Sequence, residues 1–112
     1  MLAVVIEYAV NPGTAAEFGV ALTAMVDRVQ GFDGYLGELP CHASDDESHR
    51  VTISYWRDAA ALEAWRLDPE HMRIQEQGRT TWLAWYRVRV LALQREYGSS
   101  GGPSPPVAAE PR

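Results

Sequence analysis

Two stretches near opposite ends of the chain, LAVVIEYAV at residues 2–10 and YRVRVLALQREY at 86–97, alternate with the two-residue period of a β-strand, yet both of their sides are largely apolar. In the first, Leu2, Val4, Ile6 and Tyr8 alternate with Ala3, Val5, Glu7 and Ala9; in the last, Val88, Val90 and Ala92 alternate with Arg87, Arg89, Leu91 and Leu93. Strands of this kind need cover on both faces. The helices of a chain of 112 residues can cover one face of a sheet. The other face calls for a second copy, a two-fold homodimer with sheet against sheet. The competing reading is an apolar patch left on a monomer, and patches beyond a few hundred Å² are uncommon there.

Between these strands, turn signals divide the chain. NPG at 11–13 ends the first strand, because proline fixes φ and glycine admits a positive one. Thr14 and Glu17 have the spacing of a capping box, and Phe18, Leu22, Met25 and Val29 recur as the inner face of a helix running to about residue 30. GFDGYLGELP then turns the chain into a second strand over 35–41, SDDES reads as a hairpin loop, and RVTISYW at 50–56 alternates as a third strand. Asp58 caps the helix AAALEAW. Pro69 would break that helix, but with Asp68 as N-cap it suits the first position of a new one, over 69 to about 79. The order β-α-β-β-α-β predicts an α+β fold, the ferredoxin-like antiparallel sheet with helices on one face. It occupies residues 1–97. Residues 98–112, rich in glycine, serine and proline with little that is large and apolar, read as a disordered tail.

Composition excludes several functions. Fifteen acidic against ten basic residues give a net charge of -5, which argues against nucleic acid and membrane surfaces as partners. Cys41, the single cysteine, allows neither an internal disulfide nor a thiolate zinc cage. PCHASDDESH gathers Cys41, His42, Asp45, Asp46, Glu47 and His49, but in no metal-ligand spacing, so it reads as a solvated loop and no metal is expected. The apolar start lacks a basic leader and falls short of the roughly 20 residues that span a bilayer. The expected compartment is a reducing cytoplasm.

The C-terminal half, ISYWRDAAALEAWRLDPEHMRIQEQGRTTWLAWYRVRVLALQREY, resembles the antibiotic biosynthesis monooxygenase family. The shared pattern is an aromatic strand end, a capped helix closing on tryptophan, DPEH, a QxxGR step, an aromatic cluster, and a strand with alternating arginines; the FDGYLG turn fits as well. The resemblance implies a dimeric α/β barrel, in agreement with the two apolar faces. It also implies one of two chemistries. One is oxygenation of an anthrone or phenol by dioxygen with no cofactor; the other is oxidative haem cleavage.

The candidate residues follow. Trp65 shares a helical face with Leu62 and points at the sheet, either as core or, where the family places a pocket tryptophan, as a flat wall for a polycyclic substrate. His71, third in its helix, lies where exposed N–H groups and the dipole favour neutral imidazole, which suits a general base; the alternative is a packing histidine. In anthrone-oxidising relatives a tyrosine occupies about this place. Arg79, Trp82 and Tyr86 set a cation beside aromatics, either to bind substrate and steady a growing anion or as a barrel plug with a surface ion pair. Haem-cleaving relatives use a strand-one asparagine, whose place falls here on Ile6 or Glu7, and a helical histidine ligand, whose place falls near Ile74 or Gln75. Haem is therefore the alternative cofactor, with changed ligation, and Ile6 is expected to line the substrate pocket. A third reading keeps the homodimer as a non-catalytic binder of a hydrophobic metabolite.

Overall fold

In a computed structural model that describes residues 1–100, the elements run β1 (Leu2–Val10), α1 (Ala15–Val29), β2 (Tyr35–Ala43), β3 (Asp46–Trp56), α2 (Ala59–Arg66), α3 (Pro69–Gln77) and β4 (Leu83–Ala92), with one π-helical turn (Gly78–Trp82) before β4. All pairings are antiparallel and the strand order is β2-β3-β1-β4, as the ferredoxin-like reading requires. The expected tail lies, from residue 101 onward, outside the described residues. No helix among the described residues is long and apolar enough to cross a membrane.

Residues directly paired across strands share a face. Val4 pairs with Ser54 and Val90, Ile6 with Thr52 and Val88, and Tyr8 with Arg50 and Tyr86. That face carries the core, where Val4, Met25, Val29, Trp56, Ala61 and Trp65 are buried together, with Ile6 and Ile74 packed against them. Trp56 is its largest fully buried side chain. Hiding about 200 Å² of such an indole contributes about 5 kcal/mol at about 25 cal/mol per Å², an upper value because unfolded chains already hide part of it. Its N–H donates to the Ser54 hydroxyl at 3.0 Å, so no polar atom is orphaned. Gly34, at φ +87°, lets the turn into β2 press on α2; a Cβ there would lie 2.4 Å from that of Ala61.

Several boundaries differ from the sequence reading. SDDES is mostly strand: β2 and β3 continue to Ala43 and from Asp46, because exposed charges at the end of a hairpin cost the ladder nothing. β4 begins at Leu83 and ends at Ala92, shifted toward the N-terminus, so WLAWY supplies its start. α3 stops at Gln77 where the π turn begins. On α1 the inward position falls to Ala21, while Leu22 is exposed. The Thr14–Glu17 capping box does not form. The Thr14 hydroxyl donates to the Asn11 carbonyl at 2.8 Å, and Glu17 accepts the Trp82 indole N–H at 3.0 Å.

The break between α2 and α3 follows the sequence reading. Asp58 accepts from the Ala61 N–H at 2.8 Å and Asp68 from the His71 N–H at 3.0 Å, each the N-cap of its helix. Asp68 is also buried and holds Arg28 of α1 in a two-point ion pair, at 2.8 and 2.7 Å. The guanidinium, helped by the His71 N–H, holds the Asp68 carboxyl down at about 2 against an ordinary 3.8. Because the folded value is depressed, the stabilisation is complete above pH 3.8 and is lost as pH falls through about 2. Asp68→Asn should therefore be less stable than the wild type at neutral pH, and urea midpoints should show that gap closing between about pH 4 and 2; a gap independent of pH would remove this role.

Candidate functional site

The short α2–α3 corner brings Trp65 and His71 into contact. Their rings stack with centroids 4.0 Å apart and planes 16° from parallel, and Phe32 meets Trp65 edge-on at 4.8 Å. The His71 Nδ1 lies 3.0 Å from the Trp65 backbone oxygen. A carbonyl can only accept, so Nδ1 carries the proton and Nε2 keeps the lone pair. Burial pushes the imidazole below its ordinary 6.5, outweighing the Trp65 carbonyl and the Asp68 charge, which raise it. The ring is thus neutral near pH 7 and fixed in one tautomer. The sequence assigned neutrality to the helix terminus; burial is the larger cause, because the His71 N–H at that terminus is already occupied by Asp68.

Gln75 lies one turn after His71. Its amide nitrogen is 3.2 Å from Nε2 and 3.3 Å from Nδ1. A donor aimed along one nitrogen's lone pair would stand much farther from the other, so the amide sits above the ring. His71, Ile74, Gln75 and Gly78 follow helical spacing and turn the inner face of α3 toward the protein; Ile74 reaches the core and Gly78 is buried. On the same side of the sheet, Val88 and Val90 remain 50% and 55% exposed, because the helices leave β4 partly uncovered. Ile6, Val88, Val90 and Tyr86 accordingly form an apolar strip on the helix side.

Of the residues nominated from sequence, Trp65 and His71 meet, and Ile6 and Tyr86 share the helix-side face of β1 and β4. Trp82 and Arg79 lie elsewhere. Trp82 is buried at the opposite end of α1, edge-on to Phe18 at 6.2 Å. Phe18 and Arg28, which mark the two ends, are ten residues apart, or about 15 Å along a helix. Arg79 is exposed and ion-paired with Glu76. The sequence reading missed Gln75 as a polar neighbour, although its four-residue spacing from His71 was visible. It also missed Phe32.

The sheet's other face holds a separate polar cluster. Glu7 at its centre accepts from His49 Nε2 at 2.9 Å and from Arg89, and Trp85 meets His49 edge-on at 5.0 Å. Both partners pull the Glu7 carboxyl below its ordinary value, Arg89 more strongly. Around it Leu39, Trp85 and Leu91 are exposed.

A four-stranded antiparallel sheet in the order β2-β3-β1-β4, with its helices on one face, defines the class as a ferredoxin-like α+β protein. The model of the family described as antibiotic biosynthesis monooxygenase matches residues 1–77, and the chain belongs to that family. It is similar to the uncharacterised protein YqjZ of Bacillus subtilis (strain 168), at 32% identity over 79 residues, covering 70% of this chain and 68% of YqjZ. It is also similar to the jasmonate monooxygenase ABM of Pyricularia oryzae, at 26% identity over 90 residues; there the match takes in 80% of this chain but only 42% of the longer relative. Among solved structures, SnoaB, a cofactor-independent oxygenase from Streptomyces nogalater, superimposes with a TM-score of 0.72 at 16% identity, covering 88% of this chain and 97% of SnoaB, a likeness of fold.

Proposed function

We propose that this protein is a cofactor-independent monooxygenase that acts with dioxygen on a small aromatic substrate of the anthrone or phenol type. The observation that carries the reading is the neutral, tautomer-fixed His71 stacked on Trp65. Oxygenase names among the relatives, in family and in fold, point the same way.

The chemistry asks little beyond proton removal. A planar substrate lies along Ile6, Val88 and Val90 with its ring toward Trp65, and His71 Nε2 takes its acidic proton. The resulting phenolate or carbanion passes one electron to dioxygen; substrate radical and superoxide combine to a peroxide, which loses water and leaves a quinone carbonyl. The protein contributes a dry wall, a base, and donors for the anion. Arg79 and Trp82, nominated from sequence, then act at most at the rim and in the packing.

Anthrone incubated with the protein in air should yield quinone faster than it does spontaneously, and His71→Ala should slow the catalysed part by about 10²-fold or more, the usual scale of a lost general base. No acceleration with any polycyclic phenol would leave a binding protein in place of an enzyme. A haemin titration that shifts the haem spectrum, and loses that response in His71→Ala, would reassign Nε2 to iron.

The second copy enters through the open sheet face. Four strands about 4.8 Å apart and about 30 Å long offer roughly 600 Å² of flat area, close to the roughly 800 Å² per partner of a standard interface. Glu7, held from both flanks, brings no free charge into it. Sedimentation at micromolar concentration should give a dimer, and Trp85→Asp should give monomer; a monomeric wild type would end this part of the reading.

A further inference from the structure

The chemistry proposed between sheet and helices makes no use of the polar cluster on the open sheet face. Glu7 and His49 lie on β1 and β3, the two central strands, in the middle of the face assigned to a second copy. In one protomer their side chains are 26% and 32% exposed, so a second sheet still has something to cover there. Polar groups at the centre of an apolar contact weaken it unless they are paired, and their state of charge decides how well two sheets meet.

Arg89 and His49 hold the Glu7 carboxyl below its ordinary value, so it is ionised near neutral pH. An ionised carboxylate only accepts; at 2.9 Å the proton of a neutral His49 therefore sits on Nε2 and the lone pair on Nδ1. In that state Glu7, Arg89 and His49 together carry no net charge, and both partners donate to Glu7. A second proton is taken only at Nδ1, which has no hydrogen-bond partner among the described residues. Protonation thus adds to each copy one positive charge and one N–H without an acceptor. The two-fold doubles both and sets like charges across the contact.

The surroundings do little to offset this. Arg87, opposite Glu7 on β4, is an exposed cation with no ion pair among the described residues and adds to the positive charge. Trp85 meets the His49 ring edge-on, and β2 brings Leu39 and Cys41 to this face without a charge. Asp46, with Glu47 beside it, draws the other way from the hairpin end, but both are exposed to water, and Ser48 already donates twice to Asp46.

We propose that His49 is a pH switch for the homodimer: neutral, it lets the two sheets close over the Glu7–Arg89 pair, and protonated at Nδ1, it holds them apart. This rests on the sheet-to-sheet homodimer proposed above and adds the condition under which it forms. Two protons are shed on assembly, one from each copy, so acidification drives the dimer apart by mass action.

The test is sedimentation of the full chain at about pH 8 and about pH 6, a span in which imidazole changes charge and carboxylates stay ionised. The dimer dissociation constant should rise about tenfold or more at the lower pH. Overall charge works in the opposite direction: from -5 at pH 7, acidification brings the chain nearer neutrality, which by itself favours association. His49→Gln, a neutral donor at either pH, should dimerise equally at both, and His49→Arg, always charged, should be weakened at both. His42→Gln, on the helix side of β2, should keep the wild-type response. Circular dichroism checks that each variant is folded. A wild-type constant that is unchanged or smaller at the lower pH would overturn the proposal, as would a response that survives in His49→Gln. A dimer indifferent to pH would leave the homodimer standing without its switch, whereas a monomer at both pH values would remove the two together.

Discussion

The carboxylate of Asp68 is the joint on which the candidate site turns. It caps α3 through the His71 N–H, and it ties that cap to α1 through both nitrogens of the Arg28 fork. One buried group therefore sets where α3 starts, how far it stands from the long helix, and which way the first turn faces. His71 is three residues into that turn, so its ring is delivered onto Trp65 by the same geometry that satisfies the helix end. Pro69 sharpens the corner, having no N–H to lose at the first helical position.

From that joint the molecule separates two kinds of aromatic packing. At one end of α1, Trp82, Phe18 and Tyr8 form a structural plug whose polar edges are claimed by Glu17 and by the turn at Asn11. At the other, Phe32 and His71 pack against Trp65, and the histidine keeps a lone pair on Nε2. The first end is closed by its own hydrogen bonds. The second carries a titratable ring, and that contrast makes it the candidate site.

Much of this was legible in the sequence. The two-sided apolar alternation of residues 2–10, the caps at Asp58 and Asp68, and the proline between the helices are local patterns with local causes, and they fixed the element order and the Trp65–His71 corner. What escaped depended on distant partners. Thr14 and Glu17 satisfy the capping-box pattern, but Glu17 is drawn away by an indole 65 residues on. Arg79 beside an aromatic run suggested anion binding, whereas its nearest carboxylate, Glu76, lies one turn back on the same helical path. Gln75 stands one helical turn from His71 in the sequence, but that spacing carried meaning only once the His71 ring was seen to turn toward it. SDDES looked like a loop because strand propensity penalises acidic residues, a preference that weakens at an exposed hairpin end.

As a candidate base, His71 is a neutral imidazole held in one tautomer by the Trp65 carbonyl. A pH titration of His71 followed by nitrogen-resolved NMR measures this directly. The expected midpoint lies below 6.5 with, above it, a proton on Nδ1 and Nε2 bare. A midpoint above 6.5, or a neutral form protonated at Nε2, would contradict it.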